Sequence, residues 1–420
     1  MSAALPKQMR QIVGPPFRLF ARALFLVVVL PVLYLIEPFY RIRLTAMPTQ
    51  RLGELATNMD FFIRHRQFHG KPRRTVHLFV GWDPCNRQMF LMFQRLPGMH
   101  VIESRLGTRL LFAWRPILKH TRFLDSLDWD YAEYFMFNNT KSEIRFTEAE
   151  EKEGRARLAE MGIGENDWFV CFHARDGAYL WQWRPQFSDV WDTTDFKNTR
   201  IENYLKAADY IASLGGFAVR IGAIVESPLP ETGNPRIIDY ASRYRSDFMD
   251  IYLLAKNRFF IATSSGPAAV AIAFDVPCVV TSHFPYSHSS NHRYDIVLPR
   301  LITTPDGDRM VGFYEAAERG YYASSRDTGS KDPNMHLFRW RESDADDILD
   351  GVKDMIDHLE GREPPPEARQ LQAIYADRYL CHLPDYTLAG KIGARWALKY
   401  RSLIVPAGTA PACPKEAARQ

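Results

Sequence analysis

The fold class this sequence predicts is α/β, with two domains that are each built on a parallel sheet. Three observations carry that expectation. The chain has 420 residues, beyond the size at which one hydrophobic core usually suffices. Short apolar runs alternate with stretches of helical periodicity along most of it, the pattern of βα units. The alternation is interrupted by a charged helical stretch, Thr147 to Ile163, which marks a domain boundary. Composition fits an ordinary globular protein, with a hydrophobic fraction of 46% and a charged fraction of 24%. A net charge of +4 gives no argument for nucleic acid as a partner. The five cysteines (Cys85, Cys171, Cys278, Cys381, Cys413) show no metal-ligand spacing. Cys171 and Cys278 sit in apolar runs, as reduced buried thiols do, which points to a reducing compartment.

Residues 1–40 form the first segment, a basic and hydrophobic membrane anchor. The run Ala23 to Ile36 is apolar but shorter than the roughly 20 residues of a bilayer span, and Pro31 should kink it. Basic residues flank both ends (Lys7, Arg10, Arg18, Arg22, then Arg41, Arg43), so charge sets no orientation. An interfacial or re-entrant anchor is the first reading and a single span the second; a signal peptide or core segment remain behind them.

Residues 41–163 form the expected N-terminal domain. RIRLTAM reads as a strand, LGELATNMDFFIRHR as a helix, RTVHLFVG as a strand and NRQMFLMFQRL as a helix. HVIESR and YAEYFMF read as further strands of the same layer. Residues 164–361 repeat the alternation. WFVCF is a strand, and RIENYLKAADYIASL is a helix stopped by Gly215 and Gly216. FAVRIGA and RIIDYA are strands, and DFMDIYLLAKN is a helix with Asp247 as the expected N-cap. RFFIAT, GPAAVAIAF and PCVVTS complete the series as strand, helix and strand. Two Rossmann-like units in succession suggest a cleft, and ligands in such sheets bind beyond the carboxyl ends of the strands.

Chemistry concentrates at those ends. His173 and Arg175 follow the WFVCF run two residues apart and so share a face, while Asp176 points the other way. An arginine fork there suits a phosphate; an internal ion pair is the bland alternative. In Thr263-Ser-Ser-Gly-Pro-Ala268 a strand gives way to a helix with Pro267 in its first turn. Backbone N–H groups and serine hydroxyls converge there on an anion site, unless Ser265 merely caps the helix. Arg220 with Gly222 ends a third strand, and Arg243 and Arg245 follow a fourth; either these contact a ligand or they are solvated. The long connection Gly177 to Thr199 carries Tyr179, Trp181, Trp183 and Trp191, rings for stacking on a sugar or base or for a satellite core.

At these residues the segment from Asp167 to Phe284 resembles a family of glycosyltransferases found in bacterial polysaccharide gene clusters. The shared run is FHARD, YL, DFKN, IENYL, VRIG, IIDYASRYRSDFMDIYL and FFIATSSG. QRLGELATNMDFF is similar to that family's first glycine loop, with Glu54 where a histidine commonly stands, so the catalytic residue of that loop stays open. FHARD is also similar to the His-x-Arg segment of GT-B fucosyltransferases, whose arginine contacts the donor pyrophosphate. The resemblance implies a GT-B fold of two facing Rossmann-like domains, residues 41–163 presenting the acceptor and 164–361 holding the nucleotide-sugar donor. Helices in 362–405 are then expected to pack back on the N-terminal domain, followed by a disordered tail, 406–420.

The function expected is transfer of a sugar from a nucleotide-sugar donor to a glycan or lipid-linked acceptor in bacterial cell-surface polysaccharide synthesis. Expected donor-diphosphate ligands are Arg175, Arg220, Ser264, Ser265 and Gly266, with Asp176, Tyr240 and Arg245 in donor-site loops. Catalytic candidates are Glu54, Asp83 and His173, Glu54 being the first choice of base. No cofactor and no metal are implied, since side chains and helix N-termini can neutralise the leaving diphosphate. The expected partners are the donor, the acceptor and a membrane surface, at the cytoplasmic face of a bacterial inner membrane. Asp128-Trp-Asp130 and Asp306-Gly-Asp308 match a metal-holding DxD pattern, and His283, His288 and His292 lie close in sequence, but neither signal is specific. Asn138-Asn-Thr140 is a glycosylation acceptor only in an exported chain. Two other classes share the binding features: a sugar-nucleotide epimerase of GT-B-like fold, and a non-catalytic membrane-bound sugar-nucleotide-binding protein.

Overall fold

A computed structural model describes residues 14–70, 74–125, 127, 134–183, 197–286, 288, 290, 292–319, 338–381, 383 and 386–405. The chain is mixed α/β and divides into two compact units, Met1–Trp129 with Ser142–Phe146, and Asp130–Lys141 with Thr147–Gln420.

The first unit opens with α1, Pro15–Ile36, long and apolar enough by length and composition to cross a membrane. Pro31 does not break it. A wide π turn, Phe25–Val29, precedes the proline and opens the ladder where its missing N–H would have donated. There follow β1 (Arg41–Ala46), α2 (Leu52–His69), β2 (Thr75–Gly81), α3 (Arg87–Gln94), β3 (His100–Glu103) and α4 (Arg105–Leu118). The strands form a parallel sheet in the order β1-β2-β3. Asn86 caps α3 by accepting from the Met89 N–H at 2.9 Å. Ser104 caps α4, a helix not among the expected elements, by accepting from the Gly107 N–H at 2.9 Å. The YAEYFMF run, expected as a strand, is helical over Phe135–Asn139, where the Thr140 hydroxyl donates to the Met136 carbonyl; residues 131–133 lie outside the described residues.

The second unit takes in the Phe135–Asn139 helix and then, ahead of the expected start at 164, α5, Glu148–Glu160, opened by a Thr147–Glu150 capping box. β4 (Phe169–His173), α6 (Leu205–Ser213), β5 (Phe217–Arg220), β6 (Ile237–Asp239), α7 (Asp247–Lys256), β7 (Phe260–Ala262), α8 (Gly266–Ala273) and β8 (Cys278–His283) come next. The N-cap of α7 is Ser246, one residue before the expected Asp247, and it accepts from the Met249 N–H at 3.2 Å. α5 is drawn to this unit by α7: a Cβ on Gly154 would lie 2.2 Å from the Tyr252 ring, so only glycine allows the approach. Glu151 then accepts from Tyr252 at 3.2 Å and from Lys256 at 2.6 Å.

β9 (Ile296–Pro299), β10 (Leu301–Thr303), β11 (Arg339–Arg341), α9 (Ala345–Leu359), α10 (Pro366–Tyr379), β12 (Lys391–Ile392) and α11 (Ala394–Lys399) complete it. Its main sheet has seven parallel strands in the order β12-β9-β8-β7-β4-β5-β6. The central strands are buried along their length, as parallel strands covered on both faces must be. The segment 362–405, expected on the N-terminal domain, is part of the second unit's own core. Leu371, Tyr375, Tyr379, Trp396 and Tyr400 join the same buried cluster as Val279, Leu298 and Met355. Arg395 pairs with Asp354 at 2.6 Å, and Lys399 with the fully buried Asp347 at 2.6 Å, pinning α11 to α9.

Candidate functional site

The second unit's sheet reverses its winding at β4. From β4 the chain proceeds outward to β5 and β6, then returns to the other side of β4 for β7, β8 and β9. The carboxyl ends of β4 and β7 therefore flank the topological switch point, where open α/β sheets hold ligands. His173, the last residue of β4, stands in register with Ala262, the last residue of β7. The His-Ala-Arg-Asp and Thr-Ser-Ser-Gly segments meet at this edge.

On the β7 side, Ser265 occupies the N-cap position of α8 but makes no capping bond. Its Oγ and the Oγ1 of Thr263 are buried without a hydrogen-bond partner. Two buried hydroxyls are thus left open beside the first-turn N–H groups of a helix, which also lack intrahelical acceptors. Ser264 is exposed on the same turn, and Gly266 begins the helix.

On the β4 side, the His173 ring donates through Nδ1–H to the Ile221 carbonyl at 3.0 Å. Burial holds its pKa below the usual histidine value, so the ring is neutral near pH 7 and Nε2 keeps its lone pair. Arg175 is partly buried two residues on, and its carbonyl accepts from the Thr199 N–H at 2.9 Å. Asp176 ties two loops together, its carboxylate accepting from the Ala178 N–H at 3.1 Å and the Glu226 N–H at 3.0 Å. These loops wall a cavity of about 430 Å³ lined by Asp176, Gly177, Thr199, Arg200, Arg220 and Glu342 among others. Arg200 and Glu342 clasp each other at its rim, with Nε and the backbone N–H each 2.9 Å from a carboxylate oxygen.

Arg220, expected as a diphosphate ligand, and Tyr240 and Arg245, expected in donor-site loops, each bond to other residues of the second unit. Arg220 is 3% exposed, donates to the Ser227 carbonyl at 2.7 Å and pairs with Asp239 at 3.7 Å. It borders the cavity, but its guanidinium holds the 221–229 loop. Gly222 serves the same loop, since a Cβ there would meet Val225 at 2.7 Å. Tyr240 is fully buried, donates to Asp250 at 2.8 Å and accepts from the Ser246 N–H at 2.9 Å. Arg245 pairs with Asp247 at 3.0 Å and with Asp250 at 3.1 Å. These two residues lock the turn into α7.

Glu54 and Asp83 belong to the first unit. Glu54 is in the first turn of α2 and pairs with Arg51 at 2.8 Å, a position that serves the helix dipole. Asp83 is exposed after β2 in the left-handed region, at φ +52°. The loops after β1 and β2 are joined there: Thr49 donates to the Trp82 carbonyl at 2.7 Å and Gln50 to the Asp83 carbonyl at 3.1 Å.

Arg300, just past β9, was not among the candidates. It is 5% exposed, and its Nε and Nη1 have no hydrogen-bond partner. Burial brings its pKa down to about 10, against the pull of Glu342. It lies near Tyr204, whose hydroxyl bridges Thr199 at 3.2 Å and Thr281 at 2.7 Å. Its signal in the sequence is Ile-Val-Leu-Pro-Arg, an apolar run ending in a basic residue, as the run before Arg220 does.

Tyr179, Trp181 and Trp183 fall on a short helix, Ala178–Trp183, while Trp191 lies outside the described residues. Asp128 and Asp130 also lie outside them. Asp306 accepts from the Asp308 N–H at 3.0 Å within an exposed turn. His283 donates through Nε2 to the His288 carbonyl at 3.0 Å, and His292 bonds the Ile272 carbonyl at 3.3 Å. Among the described residues no three His, Cys, Asp or Glu are placed to hold a metal. Asn138, of the glycosylation triplet, accepts from the Arg293 N–H at 2.9 Å.

No protein-family model matches the chain, and no curated protein does. Among solved structures it is similar to a family 9 glycosyl transferase from Veillonella parvula, at 13% identity over 76% of this chain and 98% of that one, with a TM-score of 0.42. It is also similar to the ADP-heptose LPS heptosyltransferase II of E. coli, at 10% identity over 57% and 84%, TM-score 0.37. A third is the iron-containing dodecameric glycosyltransferase TibC of enterotoxigenic E. coli, at 13% identity over 59% and 60%, TM-score 0.34. Likeness at this level assigns neither activity nor ligand.

Proposed function

We propose that this chain is a glycosyltransferase of GT-B type that takes a nucleotide-sugar on its second unit and passes the sugar to a glycan or lipid-linked acceptor. The observation that carries the reading is the pair of buried, unpartnered hydroxyls, Thr263 and Ser265, at the switch-point edge beside a helix N-terminus and the His173–Arg175 strand end. Departure of a nucleoside diphosphate builds negative charge on its phosphate oxygens. Preorganised hydroxyls, helix N–H groups and an arginine answer that charge without reorganising. In this reading Arg175 and Ser265 bind the diphosphate, and the neutral His173 offers Nε2 as acceptor to a sugar hydroxyl. Asp83 is the proposed base on the acceptor side, because its carboxylate is exposed while Glu54 is paired with Arg51. The reading needs no metal or cofactor, and it assigns the enzyme to surface-polysaccharide synthesis at the cytoplasmic face of a bacterial inner membrane.

The test is a titration of the purified full chain with UDP, GDP, ADP and their sugar conjugates, comparing wild type with Arg175→Ala. One diphosphate should bind, and the variant should bind it about tenfold to 150-fold more weakly, the range of one charge-assisted contact. Failure of every nucleotide to bind removes the donor site. Binding with conversion of the sugar in the absence of any acceptor would favour the epimerase.

A further inference from the structure

The apolar helix α1 is docked lengthwise on its own unit. Ala21, Phe25 and Leu33 are buried, and Val29 packs on the same cluster, so every fourth residue faces inward. Four-residue steps drift around a regular α-helix, and the π turn over Phe25–Val29 corrects the drift and keeps the stripe on one side. The contacts run from end to end. Trp114 donates to the Ala21 carbonyl at 2.8 Å and Arg22 to the Ala113 carbonyl at 3.1 Å. Phe25 lies 5.0 Å from Trp114, and Tyr34 meets the edge of Phe123 at 4.9 Å.

The opposite face is apolar and uncovered. Leu19, Val27 and Leu35 are each 74% exposed and Phe20 is 67% exposed, and just past the helix Phe39 and Tyr40 are more than half exposed. So large a run of exposed aliphatic and aromatic side chains marks an interaction surface. Its surroundings say which. α4, the helix on which α1 rests, begins a stretch with Arg105, Arg109, Arg115, Lys119 and Arg122 and no Asp or Glu. Arg105, Lys119 and Arg122 are exposed and carry no ion pair among the described residues.

We propose that this face lies in the plane of an anionic lipid bilayer, α1 half-immersed at the headgroup boundary and the α4 cations over the headgroups. A helix apolar on one side with basic residues beside it binds in this way. At 22 residues α1 would be about 33 Å long, enough to span, but a span would need lipid on all sides. Its inner side instead holds Trp114, the Arg22 guanidinium and the flank of α4 and β1. The inference is independent of the chemistry proposed above.

Flotation of the full chain with phosphatidylcholine vesicles, with and without phosphatidylglycerol, tests it. Wild type should float chiefly with the anionic vesicles. Val27→Asp with Leu35→Asp should lower the floated fraction at least tenfold while leaving the circular dichroism melt unchanged. Arg105→Gln with Lys119→Gln and Arg122→Gln should erase the preference for anionic lipid and its salt dependence. Spin labels on Leu19→Cys, Val27→Cys and Leu35→Cys, with Cys85, Cys381 and Cys413 replaced by serine, should report one shallow depth at all three positions. A depth maximum at position 27 would show a span and overturn the in-plane placement. Equal flotation of the double aspartate variant would remove the surface. A lipid-free dimer abolished by that variant would assign the face to a second copy.

Discussion

Ser265→Ala separates a ligand-binding turn from a capping turn, because the two readings give opposite signs. An N-cap serine that bonds its helix stabilises it by about 0.5–2 kcal/mol, and alanine loses that. Ser265 makes no such bond, and its Oγ is buried without a partner. A buried polar atom left unsatisfied costs about 1–3 kcal/mol, so removing it should leave the free protein as stable or more so, by up to about 1 kcal/mol. For a unit of this size that is an upward melting shift of up to about 4 °C. With a diphosphate bound, the same hydroxyl would make a charge-assisted contact of about 1.5–3 kcal/mol, so its loss should weaken binding about tenfold to 150-fold. The assay is a urea or thermal melt without ligand, paired with calorimetric titration of the nucleoside diphosphate that wild type binds. Destabilisation of about 1 kcal/mol with unchanged affinity would mean that Ser265 is a cap after all.

Four further outcomes follow from the geometry. Arg220→Ala should lower stability by about 3–5 kcal/mol in urea melts, because it leaves Asp239 buried and unpaired; unchanged stability with lost donor binding would restore Arg220 as a ligand. Tyr240→Phe removes the hydroxyl joining Ser246 and Asp250 and should cost about 1–3 kcal/mol, with diphosphate affinity held within about twofold. Asp83→Asn should reduce turnover about 10²- to 10⁴-fold at unchanged donor affinity, read from steady-state rates beside a binding titration. Burial depresses the pKa of both His173 and His283 below the unfolded value of 6.5, so the unfolded chain takes up protons first. Their contribution is present above that value and lost as pH falls below it through the depressed folded-state values. The urea midpoint should therefore start to drop as pH falls below about 6.5, and Asp250, pushed up to about 6 by burial, opposes that drop within the same window.

The parallel βα alternation was legible because strands buried on both faces must be nearly continuous apolar runs. WFVCF and PCVVTS each became a strand within one residue at either end, and FAVRIGA one that stops three residues short. Strand order was not legible, since periodicity says nothing about which strands neighbour each other. That β4 lies beside β7, bringing His173 level with Ala262, is a tertiary fact. The partner of a charge was hidden for the same reason. Arg220 and Asp239 each end a strand, and only the β5–β6 register places them opposite one another as an internal pair. Asp347 and Asp354 captured the C-terminal helices by ion pairs that no local pattern announces.

What distinguishes the two sides of the switch point is whether their hydrogen-bond donors are already used. On the β5–β6 side, Arg220, Asp176 and Asp239 Oδ2 are bound to backbone N–H groups, a carbonyl or each other, and the one open atom, Asp239 Oδ1, is an acceptor that offers nothing to an anion. On the β7 side, Thr263 and Ser265 are left without partners, and the buried Arg300 keeps two open N–H donors beyond β9. Buried donors without partners are uncommon in folded proteins; Thr263 and Ser265 stand together at the end of β7, and Arg300 follows β9, two strands away. Open donors of this kind hold an anion with little reorganisation, because they are positioned before it arrives. The same logic predicts which substitutions divide function from fold. Changes on the satisfied side should act on stability first, and changes on the open side should act on affinity first.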